Sequence, residues 1–163
     1  LRWSFAQHFS REEDVERAVD IYRERYARAG MHECTLYPGV QQMLARLKEA
    51  GLFLATATSK PRDVVLPILK EQNILPYFDF VATCTEVGAT KDKPEVFYQI
   101  MHRLGGTLEN TIVFEDAYYA IKGAKDGGFT VYAIADATSE SETALIRETA
   151  DQYITSYQTL LSY

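Results

Sequence analysis

The run Ile112 to Phe129, IVFEDAYYAIKGAKDGGF, constrains the fold more than any other stretch of this chain. An apolar strand stops at two adjacent carboxylates, Glu115 and Asp116, and a helix rich in small residues begins at once. A strand that feeds straight into a helix reads as half of a βαβ unit, which pairs in parallel and buries both faces. In open α/β sheets the carboxyl ends of the strands face the crevice where ligands bind. Two acids there, beside a helix N-terminus that favours anions, suit a hard divalent cation and a phosphate group. Taken alone, the pair serves equally well as caps of an ordinary turn, because Asp is a favoured N-cap.

The rest of the chain repeats the unit. Ser10 and Glu13 have the spacing of a capping box, and Val15, Val19, Tyr22 and Tyr26 follow at helical spacing until Gly30, which is expected to stop that helix. Tyr37-Pro38-Gly39 opens a second helix, and Pro61 and Pro94 open two more. Apolar runs at 52–58, 78–84, 111–115, 130–135 and 152–154 read as strands, and 140–149 and 157–161 as further helices. The alternation predicts an α/β fold: a doubly wound, Rossmann-like parallel sheet with helices on both faces.

At 163 residues and 47% hydrophobic, the chain is long enough for one well-buried core. Its net charge of −6 argues against nucleic acid or an acidic membrane surface as partner, yet leaves room for an anionic substrate in a locally positive pocket. No apolar run reaches the roughly 20 residues of a membrane helix, and no secretory leader is visible. Cys34 and Cys84 lack metal-ligand spacing and read as buried, reduced thiols. A cytoplasmic protein is the expectation, and the oligomeric state stays open.

Three strand ends carry residues suited to phosphate chemistry. Thr58-Ser59 offers a hydroxyl and a backbone N–H for a phosphoryl oxygen, with a helix cap as the plain alternative. Lys91, ahead of the Pro94 helix, can neutralise a phosphate, and Lys93 competes for that role. Glu115 and Asp116 are the candidate metal ligands. Glu86 and Asp136 read as solvated loop residues, and His8, His32 and His102 as surface or core positions. Tyr118 and Tyr119 could border the pocket, although packing is the plainer role.

In this order, Thr58-Ser59, KDKPEVF and EDAYYAIKGAKDGGF resemble motifs two, three and four of the haloacid dehalogenase superfamily. The resemblance covers nearly the whole chain and is closest to the phosphoglycolate phosphatase and β-phosphoglucomutase-like group. It implies a Mg²⁺-dependent phosphatase of small phosphorylated metabolites. Thr58 and Lys91 would be catalytic, Thr58, Ser59 and Lys91 would hold the phosphate, and Asp116 and Glu115 the metal. Three departures stand out: Asp92 replaces a usual Pro, Ala120 a second acid found in many relatives, and Gly123-Ala124 a usual Ala-Ala. They are expected to soften local structure without removing chemistry. LYPGV, Leu36 to Val40, resembles the hinge between a helical cap and the core. Residues 1–34 are then the C-terminal part of a cap, and 35–163 the core domain.

The family's reaction also needs a nucleophilic Asp in a D-x-D-x-[TV] segment at the end of a central strand that precedes the cap. Asp14 and Asp20, the only Asp residues ahead of Leu36, lie in a charged helix. That segment, with part of the cap about 40 to 55 residues, is expected outside these 163 residues. The sheet should therefore show a gap between the strands at 52–58 and 111–115, or hold a segment of another chain there. Residues 1–163 alone are expected to be inactive and unstable as a monomer. The alternatives are a phosphomutase, or an inactive module that binds a phosphorylated ligand or a protein. A response-regulator-like receiver fits poorly, because its acids belong at the first strand.

Overall fold

A computed structural model describes residues 5–33 and 35–162. Its elements in chain order are α1 (Glu12–Glu33), α2 (Val40–Glu49), β1 (Ala55–Thr58), α3 (Arg62–Glu71), β2 (Phe80–Thr83), α4 (Cys84–Val87), α5 (Glu95–Arg103), β3 (Ile112–Glu115), α6 (Tyr118–Asp126), β4 (Thr130–Ile134), α7 (Thr143–Thr149) and β5 (Gln152–Ile154). A 3-10 turn at Ala137–Glu142 precedes α7, and another at Tyr157–Ser162 closes the described chain.

Every strand pair is parallel, but among the described residues the sheet falls into two pieces. β1 pairs with β2, from Ala55 opposite Phe80 to Thr58 opposite Thr83. β3 pairs with β4, and β4 with β5. β1 and β3 do not pair with each other. They line a slot of about 640 Å³, whose walls also take in Met43 and Leu44 of α2, Phe97 and Met101 of α5, and Tyr157. The expected gap is therefore present. From the slot, the chain steps outward in both directions, β1 to β2 and β3 to β4 to β5, so the slot is the topological switch point of the fold.

Each half has its own core. Leu44, Val65, Leu69, Ile74 and Val81 pack together beside β1 and β2. Val96, Phe97, Met101, Ile121, Ala124, Phe129, Val131, Ala133 and Ile146 pack around β3 to β5. The small residues of α6 let it lie close to the sheet, with Ala120, Ile121, Gly123 and Ala124 all buried. Val15 and Val19 are buried on α1, which packs against α3.

Several boundaries differ from the sequence reading. α1 starts at Glu12 and runs through Gly30 to Glu33, because one helical Gly costs only about 1 kcal/mol. Leu52 and Phe53 stay outside β1, and Cys84 turns into α4 instead of ending β2. Cys84 is half-buried, not buried, and Cys34 lies outside the described residues. The expected helices at 140–149 and 157–161 are partly or wholly 3-10 turns.

Candidate functional site

At the carboxyl end of β3 the chain turns directly into α6, and this turn is held by Glu115 itself. Glu115 Oε2 accepts the backbone N–H groups of Asp116 (2.8 Å) and Ala117 (3.3 Å), the latter being the residue that caps α6. Its other oxygen takes the ammonium of Lys91. The pair is secluded: the Lys91 side chain is 13% exposed and that of Glu115 is 6%. Lys93 is exposed, so Lys91 is the lysine that reaches the acids.

Gly123 makes that reach possible. A Cβ built there would lie 2.2 Å from the Lys91 carbonyl oxygen and 2.7 Å from the Asp92 carbonyl carbon. Only glycine lets the backbone of residues 91–93 rest on α6, with Lys91 directed at Glu115. The departure expected to soften the structure is thus a requirement for close packing.

The electrostatics follow from three carboxylates and one buried cation. Burial opposes the Lys91 charge, but the charge and hydrogen bond of Glu115 outweigh it and raise the lysine pKa. Burial likewise opposes ionisation of Glu115; the Lys91 charge and hydrogen bond, with help from Asp116, hold its pKa low. Asp116 bears the cost. Burial, then the hydrogen bond and charge of Glu115 and the charge of Asp136, push it up to about 6.

Two tyrosines complete the surroundings. The Tyr37 hydroxyl, on the segment leading into α2, donates to Asp136, which also accepts the backbone N–H of Thr138 at 2.7 Å. Tyr157 stacks edge-on against Tyr37 and lies 6.0 Å from the ring of Phe114. Its phenol is raised to about 12 by burial and by the charges of Asp116 and Glu115. Asp136 and Glu86 are therefore not simply solvated. Asp136 caps a 3-10 turn, and Glu86 pairs with Arg62 and accepts the Thr83 hydroxyl at 2.9 Å. Sequence reasoning missed Tyr37 and Tyr157, because nothing local marks contacts made across most of the chain.

Thr58 and Ser59 stand at the carboxyl end of β1, on the far side of the slot from Glu115. Thr58 Oγ1 accepts the Lys60 N–H at 3.1 Å, so it closes a local turn and does not cap α3, whose N-cap is Pro61. Ser59 is exposed and lies 3.8 Å from the Cys84 sulfur. Among the described residues no hydrogen bond or ion pair joins Thr58 or Ser59 to Lys91, Glu115 or Asp116. Tyr119 is half exposed, near enough to Lys91 to raise its pKa, whereas Tyr118 packs on the core. His102 stacks on Tyr98, and His8 is exposed.

No cluster of three metal-ligating side chains occurs among the described residues. The donors nonetheless suit Mg²⁺, which takes one or two carboxylates and completes its shell with water and phosphate oxygens. A crowded carboxyl raised to about 6 is one that a nearby cation would ionise.

Parallel strands flanked by helices, with a switch point at the slot, define an open α/β fold of the Rossmann-like kind. The chain belongs to the haloacid dehalogenase-like hydrolase family, whose model matches residues 2–134. It is 31% identical over 117 residues to a phosphoglycolate phosphatase from Salmonella typhi, covering 72% of this chain and 46% of that protein. It is 27% identical over 144 residues to the tyrosine-protein kinase PtkA of Mycobacterium tuberculosis, covering 85% of this chain and 50% of that protein. A crystal structure from Thermotoga maritima, assigned as a β-phosphoglucomutase, superposes with a TM-score of 0.78 at 26% identity, over 91% of this chain and 68% of that one. The chain spans about half the length of the curated relatives it matches. No described helix is long and apolar enough to cross a membrane.

Proposed function

We propose that this chain carries the metal- and phosphate-binding side of a Mg²⁺-dependent phosphatase acting on a small phosphorylated metabolite through an aspartyl-phosphate intermediate. The observation that carries the reading is the meeting of Lys91, Glu115 and Asp116 at the carboxyl end of β3, beside the slot. Asp116 would hold the metal, and Glu115 would orient a water on it. The cation would supply charge neutralisation for the phosphoryl group. Lys91, already a charged donor, would be shared between Glu115 and a phosphoryl oxygen, with Thr58 and the Ser59 N–H gripping the group from β1. The attacking carboxylate would come from a segment outside these 163 residues, as the resemblance implies. In the same reading, residues 1–34 belong to a cap, 35–163 form the core, and the protein works in the cytoplasm.

Phosphomutase activity is the second reading, favoured by the likeness to the Thermotoga maritima structure. The test is hydrolysis of a generic phosphate ester with and without Mg²⁺. Residues 1–163 alone should be inactive, and a polypeptide that adds the D-x-D-x-[TV] strand should be active. Turnover by residues 1–163 alone, or metal-independent turnover by the longer chain, would refute the assignment. Transfer between two positions of a sugar phosphate, without release of phosphate, would select the mutase.

A further inference from the structure

Asp136 stands two residues past β4, beside the strand that ends in Glu115 and Asp116, with Glu115 opposite Ala133 in the parallel register. Its two oxygens have separate partners. Oδ1 accepts the backbone N–H and the hydroxyl of Thr138, which is all that capping the 3-10 turn requires. Oδ2 accepts the phenol of Tyr37, 99 residues earlier in the chain. A cap alone has no need of that second partner.

Tyr37 is held in turn by a row of aromatic rings. Its ring lies 6.1 Å from that of Tyr157, Tyr157 lies 6.0 Å from Phe114, and Phe114 lies 5.5 Å from Tyr132 of β4. The row therefore starts on the strand that leads to Asp136, crosses the residue before Glu115, and returns to Asp136 through the Tyr37 hydroxyl. Asp116 lies close to this circuit: the charge of Asp136 bears on it, and its own charge bears on both phenols. The Thr138 hydroxyl, the Tyr37 phenol and the Thr138 N–H hold the Asp136 carboxyl below its ordinary pKa. Because Lys91 neutralises Glu115, these four groups leave the two negative charges of Asp116 and Asp136, which match one divalent cation. The acids do not close into a three-ligand cluster among the described residues, so the part open to Asp136 is played by charge and not by coordination.

We infer that Asp136, held in place by Tyr37, is a positioning residue of the cation site: it acts through Asp116, by fixing a second negative charge beside it. The inference rests on the function proposed above, in which Asp116 holds Mg²⁺. Pinned on both oxygens, Asp136 needs no rearrangement when the cation arrives.

The test is calorimetric Mg²⁺ affinity, without substrate, of the polypeptide that includes the attacking carboxylate. Asp136→Asn keeps the cap and an acceptor for Tyr37 and removes only the charge. It should weaken Mg²⁺ binding about tenfold, the lower end of what partners outside the coordination shell contribute. That gap should narrow to about threefold or less when salt is raised from about 0.1 M to about 1 M, because the screening length falls to about 3 Å. The urea midpoint should stay that of wild type. Asp136→Glu, which keeps the charge, should bind within about threefold of wild type, as should Tyr37→Phe, which releases one oxygen only. If Asp136→Asn misfolds, Asp136→Ser is an uncharged cap of the same rank and carries the same expectations. Wild-type affinity in the uncharged variant, a loss that high salt leaves intact, or an equal loss in Asp136→Glu would overturn the inference. Asp116→Asn separates the two claims. Binding lost there and unchanged in Asp136→Asn would refute the positioning role alone, and no Mg²⁺ binding by wild type would refute the proposed function together with it.

Discussion

In the three-stranded half, Val131 and Ala133 of β4 lose all contact with solvent, while in the two-stranded half no residue of β1 is buried. The two strands are similar in length, but β4 (TVYAI) is more apolar than β1 (ATAT), and their neighbours differ as well. β4 has a strand on each side, whereas β1 has β2 on one side and the slot on the other. Burial in a parallel sheet follows from the set of strands together with the residues each strand brings. The candidate site residues divide along the same line: Lys91, Glu115 and Asp116 cluster on the three-stranded side, and Thr58 and Ser59 lie at the end of β1 across the slot.

If the division is right, the largest effects come from changes to the deep half. In a polypeptide that includes the attacking carboxylate, Asp116→Asn should cut Mg²⁺-dependent turnover at least about a hundredfold in steady-state assays, and Glu115→Gln less. Unchanged turnover in Asp116→Asn would remove that residue from the site. Lys91→Met strands the Glu115 carboxylate in a buried place, and loss of one member of a buried pair costs about 3–5 kcal/mol. Urea titration should show that loss, with exchange rising at 112–115 and 130–134 first. Gly123→Ala drives a methyl into the Lys91–Asp92 backbone and should cost about 1–3 kcal/mol by the same titration. It should also lower turnover, because Lys91 is displaced.

Two smaller tests sharpen the contrast. Asp116, raised from 3.8 to about 6, binds its proton more tightly folded than unfolded. Its contribution to stability is fully present below pH 3.8 and is lost as pH rises through about 6. Thermal midpoints of wild type relative to Asp116→Asn should fall across that window, and a flat difference would mean the carboxyl is not crowded. In the shallow half, the Arg62 guanidinium donates to the Val81 carbonyl at 2.6 Å and pairs with Glu86. Arg62→Met should speed exchange at 80–83 and leave 130–134 untouched. Faster exchange in both places would mean that the halves unfold as one.

The element order, the adjacent acids at the end of β3 and the gap itself were legible in the sequence, because each depends on residues close together or on a strand's place in a known order of motifs; the structure adds that Lys91 is the lysine that pairs with Glu115. Other features were not legible, for reasons that can be named. Gly123 looks like a weak helix residue until the backbone of Lys91 is laid across it. Asp136 looks like a loop acid until Tyr37, 99 residues away, donates to it. Pro67 sits exposed inside α3, where local preference argues against it, while Val65 and Leu69 of the same helix are buried.

The turn at Tyr157–Ser162 has a consequence for how the chain is made. It lies against α2: Gln158 approaches Gly39 so closely that a Cβ there would be 2.8 Å away, and the Arg46 guanidinium donates to the Leu161 carbonyl, 115 residues along the chain. Gly39 has φ +87°, a conformation open to glycine at little cost, so this seat is shaped on both sides. On a ribosome adding about 5–20 residues per second, α2 and β1 would emerge several seconds before the turn that clamps them. During that interval α2 and β1 have neither this turn nor β3 to β5 beside them. Removing the last six residues should therefore lower soluble yield in the cell out of proportion to the few contacts they make.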